Sequence, residues 1–215
     1  MKRLLEHIGW NMELKSRIEN LKTALEDNYD LIRSQFEDHK VNSPSDFEQF
    51  NNGRSEGEWS SAGLRSVWGH WSKEMIEQYP TLFYLFEEHL PEVKAISINC
   101  LGPKANIGYH TGVIYQNIMY KRWIADKQRW IEESRPEDHH IKPTRGKYYA
   151  YRFHYGIDVP DVPLLLGLEW RGKTQHWQNG QTFMFKDFEK HRAYNETEEY
   201  RYSLIFDVLK EDYEQ

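Results

Sequence analysis

The sequence contains a single cysteine, Cys100, so it can form no internal disulfide and is typical of a protein from a reducing compartment. Basic residues do not outnumber acidic ones, and the net charge of −6 gives no electrostatic basis for binding nucleic acid. No apolar run approaches the roughly eighteen residues of a membrane-spanning helix. We therefore expect a cytoplasmic protein that binds neither nucleic acid nor a membrane.

Aromatic residues and histidines are abundant in this chain. Its 215 residues favour one domain, and aromatics make up 15% of them, which excludes wholesale disorder because disordered chains are poor in aromatics. The ten histidines are more than an ordinary core requires, so they are the first candidates for metal-binding or catalytic residues.

Helical periodicity dominates residues 1–92, which we interpret as a helical region that supports the rest of the domain. Residues 41–61 within it have the composition of a loop, and residues 64–90 again show helical spacing. We predict that the first helix packs on its own domain, with a homodimer formed through the same apolar stripe as the alternative. The stripe consists of Ile18, Leu21, Leu25, Tyr29, Ile32 and Phe36.

Short segments rich in β-branched and aromatic residues follow Pro91, separated by turn residues. Because helices precede these strands rather than alternate with them, a doubly wound α/β fold is not expected. We predict a mainly β fold, an eight-stranded antiparallel jelly roll within residues 93–209. The predicted strands are 93–101, 104–110, 148–158, 163–170, 173–177, 181–185, 189–195 and 199–208.

One segment interrupts the strands. Residues 113–147 combine dense charge with Trp123 and Trp130, and we interpret them as a helical insertion. Connections of this length in a compact domain are usually functional or disordered, so the insertion is either a substrate-selecting lid or a helix packed outside the sheets.

Histidines and arginines recur in the predicted strands. Arg152 and His154 lie two residues apart and therefore share one face of their strand. His110 ends the second strand, whereas His191 and Arg201 lie in the last two. Neutral imidazoles that meet in one cavity suit a first-row transition metal, and a buried arginine suits a carboxylate held by two hydrogen bonds.

Three motifs resemble those of the aspartyl/asparaginyl β-hydroxylase family. They are PKANIGYHTG (103–112), AYRFHYGIDVP (150–160) and WQNGQTFMFKDFEKHRAYNETEEYRYSLIFDV (177–208). They occur in the family's order and with similar internal spacing, over about the last 120 residues.

This resemblance implies a hydroxylase on a cupin-like double-stranded β-helix that uses Fe(II), 2-oxoglutarate and O2. His110 and His191 would bind iron, and Arg201 would bind the distal carboxylate of 2-oxoglutarate. His154 would contact the metal-bound end of the cosubstrate, and Arg152 would lie beside it or beside an acidic substrate. The substrate would be an amino acid, or an Asp- or Asn-type residue of a small molecule or peptide.

The residue at position 112 determines which iron ligands are expected. The facial triad common in iron enzymes consists of two histidines and a carboxylate, which lies two residues after the first histidine. This chain has Gly112 at that position, as the family does. Two histidines and water are therefore the expected iron ligands. Asp187 or Glu189 as a third ligand is the alternative. The open position also leaves a halogenase-like reaction as an alternative, and a non-catalytic cupin-like binding module is another.

Two departures from the family pattern affect other site residues. Asn99 stands where the family usually has a cosubstrate-lining serine, although an amide can still donate a hydrogen bond. The long insertion contains His139 and His140, which compete with His110 as the first iron ligand.

Overall fold

The computed structural model describes residues 2–42, 48–49, 55–66, 70–93, 95–112, 114–115, 120–124, 129–133 and 147–214. Two long helices begin the chain and two shorter ones precede most of the strands. The helices are α1 (Lys2–Asp27), α2 (Tyr29–Asn42), α3 (Lys73–Gln78), α4 (Pro80–His89) and, at the end of the chain, α5 (Lys210–Tyr213). None of the helices in these residues is long and apolar enough to cross a membrane.

The strands of the described residues form two large antiparallel sheets and two small two-stranded sheets. They are β1 (Glu48–Gln49), β2 (Ser55–Glu56), β3 (Trp59–Arg65), β4 (Ile96–Leu101), β5 (Ala105–His110), β6 (Ile114–Tyr115), β7 (Tyr120–Ile124), β8 (Arg129–Glu133), β9 (Lys147–Tyr148), β10 (Ala150–Asp158), β11 (Leu166–Trp170), β12 (Lys173–Gln175), β13 (Thr182–Lys186), β14 (His191–Asn195) and β15 (Arg201–Leu209). All eight predicted strands are present.

The two large sheets face each other as a double-stranded β-helix. Sheet A has the order β1-β3-β4-β15-β10-β13, and sheet B has the order β12-β11-β14-β5-β2. A core between them joins Leu101 and Phe185 of sheet A to Ile107, Leu168 and Ala193 of sheet B. The predicted jelly-roll class, mainly β with helices at the amino terminus, is therefore confirmed.

The amino-terminal helices cover the outer face of sheet A. Ile18, Leu21 and Leu25 of α1 are buried in one cluster with Tyr155 and Leu204 of the sheet. The Tyr155 hydroxyl donates a hydrogen bond to the Leu25 carbonyl oxygen at 2.9 Å, which fixes the helix on the strand. The apolar stripe therefore packs on its own domain, and this leaves the inner face of sheet A for the polar residues described below.

Two predictions of secondary structure are wrong. Trp59–Arg65 is the strand β3 of sheet A, whereas the sequence predicts helices and loops for residues 1–92. The small and polar residues of β3 have little strand propensity. They are extended because β3 pairs with β4.

The insertion 113–147 is also not helical where the structure describes it. β7 and β8 pair as a hairpin whose register sets Trp123 opposite Trp130 and Lys121 opposite Glu132. This pairing makes the described part of the insertion a hairpin where the sequence predicts a helix. The lid role stays a prediction, and His139 and His140 lie outside the described residues.

Candidate active site

A β-bulge brings His110 and His191 together. β14 and β5 pair Ala193 with Ile107 and His191 with His110, so β5 has one residue more than β14 between these two pairs. Without the extra residue, strand alternation would put His110 on the face opposite Ile107. Instead the two imidazole rings face each other, with their centroids 4.2 Å apart.

Each imidazole is oriented by the backbone carbonyl two residues before it. His110 Nδ1 lies 2.8 Å from the Gly108 carbonyl oxygen, and His191 Nδ1 lies 2.8 Å from the Glu189 carbonyl oxygen. A carbonyl can only accept, so each Nδ1 donates its proton, and in the neutral ring Nε2 is then the unprotonated nitrogen. A hydrogen bond of this kind from the second ring nitrogen is what metal-binding histidines usually have.

The environment keeps the buried histidine of this pair neutral. Burial lowers the pKa of His191 to about 4, and the neighbouring His110 and Arg152 add to the effect, which outweighs the opposing hydrogen bond to the Glu189 carbonyl. A neutral imidazole is the form that binds a metal. Among the residues that the structure describes, no group of three or more His, Cys, Asp or Glu side chains is arranged to hold a metal ion.

The carboxylate of Asp187 stands beside this pair, at the position of the missing facial-triad residue. A Cβ built on Gly112 would lie 1.6 Å from Asp187 Oδ2, so the carboxylate fills the space of a side chain at position 112. Asp187 Oδ1 also lies 3.6 Å from His191 Nε2. Glu189, the other candidate third ligand, is instead bound by Trp170 Nε1 and Arg171.

Arg152 is held by two carboxylates. Its Nε and Nη2 atoms donate to Asp207 at 2.8 Å each, and Nη1 lies 2.9 Å from Asp187 Oδ1. Burial by itself would lower the pKa of Arg152, but Asp207 and Asp187 outweigh it and raise the pKa. Burial raises the pKa of Asp187 to about 6, against the lowering effect of Arg152. The predicted contact of Arg152 with a cosubstrate stays a prediction.

His154 is on the same face of β10 as Arg152, as predicted. Its Nδ1 accepts a hydrogen bond from Trp177 Nε1 at 3.0 Å, whereas its Nε2 is buried without a hydrogen-bond partner. Burial, with the positive charges of Arg201 and Arg152 nearby, holds the pKa of His154 well below its usual value. His154 therefore remains neutral and has one unused N–H group inside the domain.

Arg201 is 2% exposed and has no carboxylate partner within the described part of the chain. Its Nη1 donates to the Ser203 hydroxyl, and its guanidinium lies 4.4 Å from the centre of the Trp177 ring. Burial lowers the pKa of Arg201 to about 10. Asn99 is buried opposite Ser203 in the register of β4 and β15, and its amide donates to the Ser97 hydroxyl at 2.7 Å.

The structure thus brings all six predicted site residues to the space between the two sheets. They are His110, His191, Arg201, His154, Asn99 and Arg152. Sequence reasoning missed two further participants, Trp177 and Asp207. Both lie in the third motif, residues 177–208, but the sequence does not show their partners, because those depend on strand register.

Comparison with known proteins supports the family resemblance. Residues 131–211 match the family model described as Aspartyl/Asparaginyl beta-hydroxylase. This match includes His154, Trp177, His191 and Arg201, whereas His110 precedes it. The chain is also 33% identical, over 72 residues, to an ornithine lipid ester-linked acyl 2-hydroxylase from Rhizobium tropici. That match covers 33% of this chain but only 26% of the relative.

Solved structures match this chain at low sequence identity. A Pseudomonas putida prolyl-4-hydroxylase is 11% identical, with a TM-score of 0.46 over 87% of this chain and 97% of that one. A predicted oxalate decarboxylase from Thermotoga maritima is 14% identical, with a TM-score of 0.38 over 76% of this chain and 91% of that one. Both TM-scores are below 0.5, so the fold assignment depends on the two sheets themselves. The predicted resemblance is supported over residues 131–211, the part of the chain that matches the aspartyl/asparaginyl β-hydroxylase model.

Proposed function

We propose that this protein is a hydroxylase that depends on Fe(II), 2-oxoglutarate and O2. The observation that carries the proposal is the facing pair of imidazoles, His110 and His191, each with its Nδ1 proton given to a backbone carbonyl. The match of residues 131–211 to a hydroxylase family supports it.

The residues fit a metal ion. Imidazole nitrogens are good ligands for iron, and the low pKa of His191 keeps its ring unprotonated at neutral pH. In this proposal His110 and His191 hold Fe(II) through Nε2. Asp187 Oδ1 lies 3.6 Å from His191 Nε2, so its carboxylate would accept a hydrogen bond from a water on the metal rather than complete a set of three protein ligands.

The residues also fit a dicarboxylate. A buried guanidinium without a carboxylate is costly, and a bound carboxylate would compensate its charge with paired hydrogen bonds. Arg201 is therefore the residue that binds the distal carboxylate of 2-oxoglutarate. The unused Nε2–H of His154 donates to the other end of the cosubstrate, and Asn99 lines the space near Arg201.

When bound, Fe(II) with 2-oxoglutarate and O2 supplies an oxidation that places a hydroxyl group on an unactivated carbon, while the cosubstrate becomes succinate and CO2. The protein contributes orientation and a dry site. Phe185 packs against both His191 and His154, and this apolar ring would help to keep water out of the site. The ion pairs of Arg152 hold the Asp187 carboxylate against Gly112.

The substrate is proposed at the level of chemical class. An amino acid, or an Asp- or Asn-type residue in a small molecule or peptide, is what the family match favours. A halogenase-like reaction needs a halide near the iron, and the carboxylate of Asp187 would repel an anion there. We therefore favour hydroxylation over halogenation.

Succinate release separates this function from a non-catalytic binding module. Purified protein with Fe(II), 2-oxoglutarate and O2 should release succinate, and amino acids or short acidic peptides should be screened for stimulation and for a product heavier by one oxygen atom. His191→Ala should abolish succinate release, and Arg201→Ala should mainly raise the KM for 2-oxoglutarate. His70→Ala, which alters an exposed histidine, is the matched control and should behave as wild type. Equal succinate release by wild type and His191→Ala would exclude the proposed site.

A further inference from the structure

Trp177 contacts the two residues, His154 and Arg201, that the proposed function assigns to the two ends of the cosubstrate. Its indole Nε1 donates to His154 Nδ1 at 3.0 Å, and its ring lies under the Arg201 guanidinium at 4.4 Å. The side chain is 3% exposed and packs edge-on against Phe183. A tryptophan that only filled the core would not need two charged or titratable partners.

The hydrogen bond from Trp177 determines which nitrogen of His154 carries the proton. An indole N–H can only donate, so His154 Nδ1 must be the acceptor, and the proton of the neutral ring is on Nε2. Nε2 is the buried atom without a partner. Without Trp177, His154 could place its proton on Nδ1 and present a lone pair to the ligand. A carboxylate at that position would then be repelled.

The contact with Arg201 orients the second group. A guanidinium stacked on an indole ring is stabilised by the ring's negative face, and burial strengthens this attraction. The Ser203 hydroxyl accepts from Nη1 of the same guanidinium. The indole and the hydroxyl together fix the plane of the guanidinium before any carboxylate arrives, which lowers the entropy that binding must overcome.

Trp177 is itself held rigidly against β10. A Cβ built on Gly156 would lie 2.2 Å from the Gln178 carbonyl oxygen, so the chain after Trp177 approaches β10 as closely as only glycine allows. Asn179 hydrogen-bonds both the N–H and the carbonyl of Val159, at 2.8 and 3.0 Å. This close approach explains why a glycine, Gly156, stands two residues after His154 in the segment AYRFHYGIDVP.

We propose that Trp177 is a positioning residue that prepares His154 as a hydrogen-bond donor and Arg201 as a fixed cation for the two ends of a dicarboxylate. The inference rests on the proposed function for the identity of that ligand, 2-oxoglutarate. The tautomer of His154 follows from the protein alone, so this part can be tested without ligand.

The test compares Trp177→Phe with Trp177→Leu. Phenylalanine keeps a ring under Arg201 but removes the N–H, whereas leucine removes both. Trp71→Phe is the matched control, because it removes an indole N–H that donates to Glu87 at 2.8 Å on the helical side of the domain. Ring ¹⁵N spectra of the metal-free protein, assigned with His154→Gln, report the tautomer of His154.

We expect wild type and Trp71→Phe to show His154 as a single tautomer protonated at Nε2, and Trp177→Phe to shift the Nδ1 resonance. With Fe(II), Trp177→Phe should raise the KM for 2-oxoglutarate about tenfold while kcat stays within about twofold, since one hydrogen bond to a charged ligand is weakened. Trp177→Leu should raise the KM further.

The outcomes separate the two proposals. Unchanged His154 nitrogen shifts in Trp177→Phe, or a wild-type ring protonated at Nδ1, would overturn the tautomer role. Equal KM values for the phenylalanine and leucine variants would overturn the role of the ring under Arg201. A wild-type protein that neither binds nor consumes 2-oxoglutarate would overturn the proposed function, whereas the nitrogen spectra would still decide the contact between Trp177 and His154.

Discussion

The carboxylate of Asp187 occupies the space in which a side chain on Gly112 would begin. A Cβ at position 112 would lie 1.6 Å from Asp187 Oδ2, and the Gly112 amide donates to the Asp187 carbonyl oxygen at 2.7 Å. The position two residues after His110, where a facial triad would have its carboxylate, is thus filled from a different part of the chain. Glycine at 112 is required by this packing, because any larger residue would displace the aspartate.

Gly112→Ala tests this relationship. The new methyl group would force the Asp187 carboxylate away, and overpacking of this kind costs about 1–3 kcal/mol in the free energy of unfolding. Gly63→Ala is the matched control, since a Cβ there meets nothing within 4 Å. Urea unfolding should show a lowered midpoint for Gly112→Ala and a wild-type midpoint for Gly63→Ala. Equal midpoints would show that Asp187 does not fill this space.

Arg152 is predicted to stabilise the folded protein by compensating two carboxylates. Arg152→Met would leave Asp187 and Asp207 buried near each other without a cation, and loss of one partner from a buried ion pair costs about 3–5 kcal/mol. Arg171→Met, at an exposed ion pair with Glu189, should leave the unfolding midpoint close to wild type. Chemical denaturation measures both variants. A small effect of Arg152→Met would contradict a compensating role.

We predict that the buried charge of Arg201 lowers the stability of the ligand-free protein, although the proposed function needs it to bind 2-oxoglutarate. Because its buried charge has no carboxylate in the described residues, Arg201→Met should raise the unfolding free energy of the ligand-free protein by about 1–3 kcal/mol. The same variant should lose binding of 2-oxoglutarate, measured by calorimetry with Fe(II) under anaerobic conditions. A destabilised Arg201→Met would mean that the guanidinium has a structural role instead.

Acid should destabilise the metal-free protein through its buried histidines. The folded pKa of His191 is about 4 and that of His154 is also lowered, so below the usual value of 6.5 the unfolded chain binds protons that the folded chain does not. Stability is therefore lost as the pH falls from 6.5 toward 4. Asp187, with a folded pKa raised from 3.8 to about 6, acts in the opposite sense in this range.

His154→Gln isolates one contribution to this pH dependence. It removes one group that takes up a proton on unfolding, so its slope of unfolding free energy against pH should be smaller than the wild-type slope by up to about 1.4 kcal/mol per pH unit. Denaturation at several pH values between 6.5 and 4 measures the two slopes. Identical slopes would mean that His154 is protonated in the folded protein.

Strands in which apolar and polar residues alternate were predictable from the sequence. β10 and β15 alternate large apolar residues with polar ones, and this period of two both indicates a strand and separates its faces. Arg152 and His154 were placed on one face for this reason. β3 was missed because Trp59–Arg65 contains mostly small and polar residues, whose strand conformation comes from pairing with β4.

The contacts between the site residues were harder to predict from the sequence than the identity of those residues. His110 points toward His191 only because a bulge adds one residue to β5, and Gly108 and Tyr109 carry no unambiguous sign of it. The contacts of Asp187 with Gly112 and of Trp177 with His154 join elements that are distant in sequence. Such contacts depend on register and loop packing, which local patterns do not specify.

Anaerobic iron binding tests the central claim, that His110 and His191 form the metal site, most directly. Equilibrium dialysis with Fe(II) should show a single ion per chain for wild type and for the control His70→Ala. His110→Ala and His191→Ala should each weaken binding by at least about a hundredfold, because a ligand is lost. Wild-type affinity in either of these two variants would contradict the assignment.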